Sequence, residues 1–129
     1  MIVVSLLIDE YRRGWAFRYL REARTELVKA EENPIPNISV SFALVSMKKA
    51  QIAIYYSLGD PELLTFVVIG ALQGRDRIKN PLMLLLAQIE QFIHSNSEMA
   101  EMLRKDVAIR EAKQLLEISS DIVGLMTAS

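Results

Sequence analysis

Few side chains in this sequence are of a type that does chemistry, and their spacing decides what they can do. The single histidine, His94, follows Glu90 by four residues, so both project from one side of a helix and offer two ligands to a divalent ion. Two ligands leave such a site half built. Di-iron bundles space Glu and His by three and repeat the set, whereas here the step is four and no second set follows. The pair is expected to be ordinary surface residues, with no metal ligands. Ser46, Ser57 and Ser95 lie outside any Gly-x-Ser-x-Gly elbow, and only one histidine is present to act as base. The chain has no cysteine, which removes thiolate nucleophiles, thiolate metal sites and disulfides. Gly70 and Gly74 are four apart but no lysine follows them, so a phosphate loop is not indicated. No catalytic residue and no cofactor is expected.

The most suggestive cluster is basic and aromatic. Arg12, Arg13, Arg18, Arg21 and Arg24 interleave with Tyr11, Trp15, Phe17 and Tyr19, a composition that nucleic-acid surfaces use for phosphates and for base stacking. Arg75, Arg77 and Lys79 form a second basic group. Against this stands the plainer reading, in which aromatics at helical spacing are core, the arginines are its solvated edge, and Glu22 and Glu26 offset them. Fifteen basic and sixteen acidic residues leave a formal net charge of -1, so no global field draws the chain to a polyanion. Nucleic-acid binding through these residues is therefore the second reading, not the first.

Helices must position all of this, because each proline and glycine break carries helix-end chemistry. Ala16, Leu20, Ala23, Leu27 and Ala30 recur at steps of four and three along a first helix that ends near Asn33. Val4, Ile8, Tyr11 and Trp15 extend the spacing upstream, and Gly14 marks a bend or a close contact. After the connector holding Pro34 and Pro36, Asn37 or Ser39 is expected to cap a second helix with the stripe Val40, Ala43, Met47, Ala50, Ile54 and Leu58. Gly59 suits a left-handed residue ending that helix, and Asp60-Pro61 supplies an N-cap and a proline first turn for a third.

The third helix, Pro61 to Gln73, is apolar nearly all round. Its apolar run, Leu63 to Leu72, is too short for the roughly 20 residues a membrane span needs and reads as a buried core helix, or as a buried interface with another chain. Asn80-Pro81 repeats the cap chemistry for a fourth helix carrying Leu82, Leu85, Leu86, Ile89, Phe92 and Ile93. Ser95 or Ser97 is expected to break the chain and cap a last helix, Ser95 with Glu98 in capping-box spacing. Met102, Ile109, Ala112, Leu116 and Val123 would line that helix, with Glu101–Lys105 and Asp106–Arg110 pairs on its outer face.

The fold expected is thus all-α, one domain over residues 1–129, a bundle of about five helices built on a long antiparallel hairpin. At 129 residues the chain is long enough for an ordinary core without staples. The first residues are apolar but meet Asp9 and Glu10 early and lack a basic lead, so no secretion signal and no membrane partner is expected, and a cytoplasmic setting is the default. The apolar share of 51% is high for a soluble domain, which raises the expectation of apolar surface reserved for another chain.

The stretch YRRGWAFRYLREARTELVKA, followed by SFALVSMKKAQIAIYYSLGDPELL, resembles the helical hairpin of small archaeal bundle proteins known only as a domain of unknown function. The resemblance spans residues 11 to 64, under half the chain, and implies a helical fold and archaeal origin but no activity. More distantly it looks like the HEPN helical domains, whose active members cleave RNA with an arginine separated from a histidine by four to six intervening residues. Ahead of His94 those places hold Ile89, Gln88 and Ala87, so that resemblance implies a non-catalytic member. The expected function is a non-catalytic helical module that binds a protein partner, most simply a second copy of itself, with nucleic-acid or nucleotide binding as the alternative.

Overall fold

In the computed structural model, which describes residues 2–74 and 78–128, with side chains from residue 10 onward, the chain forms five α-helices and one short 3₁₀ turn. These are α1 (Ile2–Glu32), α2 (Pro36–Leu58), α3 (Pro61–Gln73), α4 (Pro81–Glu98), the turn Ala100–Met102, and α5 (Lys105–Thr127). The all-α, single-bundle expectation holds, with no strand among the described residues.

The body is α1, α2 and α5. On α1 the whole stripe Ala16, Leu20, Ala23, Leu27 and Ala30 is buried. Alternating Ala and Leu every seven residues lets α2 come close, and α2 answers with Val40, Ala43, Met47, Ala50 and Ile54, all buried. Three serine hydroxyls fasten the seams by donating to main-chain carbonyls of the facing helix. Ser46 Oγ reaches Ala23 O at 2.7 Å, Ser119 Oγ reaches Ala50 O at 2.7 Å, and Ser39 Oγ bonds Ala30 O. The Ser39–Ala30 and Ser46–Ala23 contacts step seven residues along each helix in opposite senses, which makes the hairpin antiparallel. Ala108, Ala112, Leu115, Leu116 and Val123 of α5 close the core. Lys105 Nζ donates to Asn33 O at 2.7 Å, Lys113 pairs with Glu31 at 3.7 Å, and Arg24 reaches Ser120 Oγ at 3.4 Å, so α5 also runs antiparallel to α1.

The caps at Asp60 and Asn80 form as their chemistry dictates. Asp60 Oδ1 accepts from the N–H groups of Glu62 (2.9 Å) and Leu63 (3.3 Å), and Asn80 Oδ1 from those of Leu82 (2.9 Å) and Met83 (3.1 Å). Other boundaries differ from expectation. Helix α2 starts at Pro36 with Ile35 as its uncapped N-cap, so Asn37 and Ser39 are inside it. Proline at the first turn lacks one of the donors a cap would serve, Asn33 Oδ1 holds the Ile35 N–H, and Ser39 is drawn inward by Ala30. Gly59 is extended at φ 171°, not left-handed, and its N–H still bonds Tyr55 O at 2.9 Å, so it ends α2 without a left-handed residue.

Helix α4 does not break at Ser95 to Ser97. It runs on to Glu98, with Met99 N still bonding Ser95 O at 3.1 Å, and the 3₁₀ turn then leads to α5 at Lys105 with Arg104 before it. Neither serine is a cap there. Met102 is 81% exposed and off the α5 stripe, Lys105 is held by Asn33, and Asp106 pairs with Arg104 at 3.2 Å rather than with Arg110. Gly14 makes no close contact, since a Cβ there would meet nothing within 4 Å.

Candidate interaction surface

At the end of α2 the chain turns by 107° into α3, and this corner sets α3 apart from the three-helix body. The expectation of a buried core helix fails here: Val68 is the only buried residue of α3. Leu64 and Leu72, at the same helical spacing, are half-buried against the core. The opposite stripe, Leu63, Phe66, Val67 and Gly70, is exposed, with Leu63 at 61% and Phe66 at 77%. Its spacing of three, four and seven is that of a helix face which normally packs on something. Ile69 is exposed beside it, and Leu82 and Leu84 of α4 are likewise more than a third exposed. Composition predicted an apolar helix but could not say that one inner stripe would satisfy the core and leave the outer one open.

The α1 cluster is brought together, but mostly with itself. Trp15 packs between Tyr11 (6.2 Å between ring centroids, edge-on) and Tyr19 (6.1 Å), and Tyr56 of α2 stacks on both Trp15 (6.0 Å) and Tyr19 (5.6 Å). The Arg18 guanidinium lies 4.8 Å from the Trp15 ring centroid and 4.0 Å from the Glu22 carboxylate. Arg13 lies 5.9 Å from the Phe17 ring centroid, and Arg21 is exposed. Arg12 is half-buried beside Gly59, where a Cβ would stand 3.7 Å from its guanidinium. Trp15 and Tyr19 are thus half-buried without being deep core, whereas Tyr11 and Phe17 are exposed. Tyr56, which spacing on α1 could not reveal, completes the group, and burial pushes its phenol above the ordinary value, with Tyr19, Tyr11, Asp60 and Glu62 adding to the shift. Lys79 is exposed, whereas Arg75 and Arg77 lie outside the described residues.

His94 does not join Glu90. Its Nε2 sits 3.0 Å from Glu98 Oε1, and both side chains are more than two-thirds exposed. Glu90 instead accepts from Gln51 Nε2, which also reaches the Tyr55 hydroxyl at 3.2 Å. Tyr55 is 2% exposed, and burial, with the Glu90 carboxylate second, pushes its phenol up to about 12. This buried polar knot between α2 and α4 was invisible to spacing rules, although a glutamine inside an apolar arc was its signal. Among the described residues no group of three or more His, Cys, Asp or Glu could hold a metal ion.

No single helix among the described residues is long and apolar enough to cross a membrane. Comparison with protein-family models, with curated proteins and with solved structures finds no match to this chain.

Proposed function

We propose that this chain is a non-catalytic helical interaction module that uses the outer face of α3 to bind a protein, most simply another copy of itself. The observation that carries the reading is the exposed stripe of Leu63, Phe66 and Val67 on a helix whose inner side already serves the core. Isolated exposed apolar residues are ordinary, but a contiguous helical stripe is what partner surfaces are made of. Binding another protein surface needs none of the reactive side chains that are missing. The kinship of residues 11–64 with small archaeal helical proteins belongs to this proposal, supported by the α1–α2 hairpin and the quoted stretches, as does a cytoplasmic setting, supported by the lack of cysteine.

Phosphate binding through Arg12, Arg13, Arg18, Arg21, Arg75, Arg77 and Lys79 is the second reading, and the exposed Arg13 and Arg21 favour it. It ranks lower because Trp15 is already stacked by Tyr56 and Arg18.

Light scattering over a wide concentration range tests the leading reading. The chain should pass from monomer to dimer as concentration rises, and Phe66→Glu should hold it monomeric while keeping its helical circular dichroism. Phe66 is 77% exposed, so its replacement should change stability by only about 0.5 kcal/mol. A wild-type chain that stays monomeric throughout removes self-association.

A further inference from the structure

We propose that the occupant of the α3 face is the α3 face of a second copy, the two helices running antiparallel about a two-fold axis that passes between Phe66 and Val67. This rests on the interaction-module reading above and adds the partner's orientation and register.

The stripe is complementary to itself in this arrangement. A two-fold axis between positions 66 and 67 sets Phe66 against the second copy's Val67 and Leu63 against its Gly70, so each bulky side chain meets a smaller one. Gly70 is otherwise unexplained. It lies within the last turn of α3, three residues before the helix ends, where glycine still costs up to about 1 kcal/mol relative to alanine. Its φ is not positive, and a Cβ there would meet nothing within 4 Å, so the monomer does not need the glycine. Gly14 and Gly124 are equally open, but neither lies on the exposed α3 stripe. A missing side chain opposite Leu63 gives that leucine somewhere to go.

Charge selects the orientation. The acids of α3, Asp60 and Glu62, are both at its N-terminal end, and the exposed Lys79 follows its C-terminal end. A parallel pair would set Glu62 beside its own copy and align the helix dipoles, whereas an antiparallel pair separates the acids and opposes the dipoles. Size sets the strength. Thirteen residues span about 20 Å, a face about 10 Å wide, which is small beside the roughly 800 Å² that each partner gives to a standard interface. The dimer is therefore of the weak, concentration-dependent kind.

The absence of native cysteine makes thiol cross-linking a clean test. Leu63→Cys and Gly70→Cys variants should cross-link to each other through a short thiol-to-thiol linker when mixed, and each alone should link far less. In the antiparallel pair the two copies of position 63 stand about 10 Å apart along the helix axis. Adding Phe66→Glu to both variants should abolish the mixed product. Efficient linking of Leu63→Cys to itself would mean a parallel pair and would overturn this inference while leaving self-association intact. Dimerisation in light scattering with no linking at either position would place the interface elsewhere and overturn it too. A strict monomer at all concentrations would overturn both this register and the self-association on which it rests, and if that monomer bound phospholipid vesicles through Phe66 the face would belong to lipid.

Discussion

Among the described residues, Tyr55 is a side chain whose ionisation is tied to folding. Its hydroxyl is buried beside Gln51 and Glu90, and ionising it would place a phenolate in a dry site next to a carboxylate. The folded-state value of about 12 lies above the ordinary 10.0, so between these values the unfolded chain releases a proton that the folded chain keeps. Stability from this group is therefore complete below pH 10 and lost as pH rises toward 12, with a slope of at most about 1.4 kcal/mol per pH unit. Tyr55→Phe should cost on the order of 1 kcal/mol at neutral pH by removing a partner of Gln51. It should also flatten the alkaline loss, which thermal unfolding from pH 8 to pH 12 would measure. Equal alkaline sensitivity in the two proteins would show that other tyrosines or lysines govern that limb. Residue by residue, the grouping of Tyr11, Trp15 and Tyr19 was legible because a single helix carries all three at steps of four. The Gln51–Tyr55–Glu90 knot was not, because it joins two helices distant in sequence.

At the scale of elements, the legible boundaries were those written in covalent geometry. Asp60-Pro61 and Asn80-Pro81 combine an acceptor side chain with a ring that pre-sets the first helical φ, and both act as N-caps. Ser95 and Ser97 carry the same hydroxyl chemistry without proline, and α4 simply continues through them. A serine near a helix end caps only when the backbone leaves the helix there, and nothing local forces it to do so. Asp60→Ala should accordingly lower stability by about 1 kcal/mol, since two N–H groups of the first turn lose their acceptor. Ser95→Ala, by contrast, should be close to neutral. Urea unfolding of the two variants beside Glu62→Ala checks the assignment: an unchanged midpoint for Asp60→Ala with a strong shift for Glu62→Ala would contradict the cap seen at the α2–α3 corner.

The molecule as a whole divides into a stapled body and a lighter attachment. In α1, α2 and α5 the stripes from Ala16 to Ala30, from Val40 to Ile54 and from Ala108 to Val123 are buried and serine hydroxyls tie helix to helix, whereas α3 contributes Val68 alone to the fully buried set. Periodicity exposed the α1 stripe at once because one side of that helix is polar. It failed on α3, where both sides are apolar and only the 107° corner decides which one meets the core. Segments with few buried contacts open at lower free energy than the global transition. Amide hydrogen exchange should therefore be slowest in α2 and in the buried middle of α1 and α5, and markedly faster in α3, with α4 between them because Leu86, Ala87, Ile89 and Ile93 are buried. If the outer face of α3 is covered by a second copy, its exchange should slow as protein concentration rises while that of α2 stays constant, since association protects only what it buries. Uniform exchange across all five helices would mean that the bundle opens as one unit, and that the exposed α3 stripe does not mark a separate layer of stability.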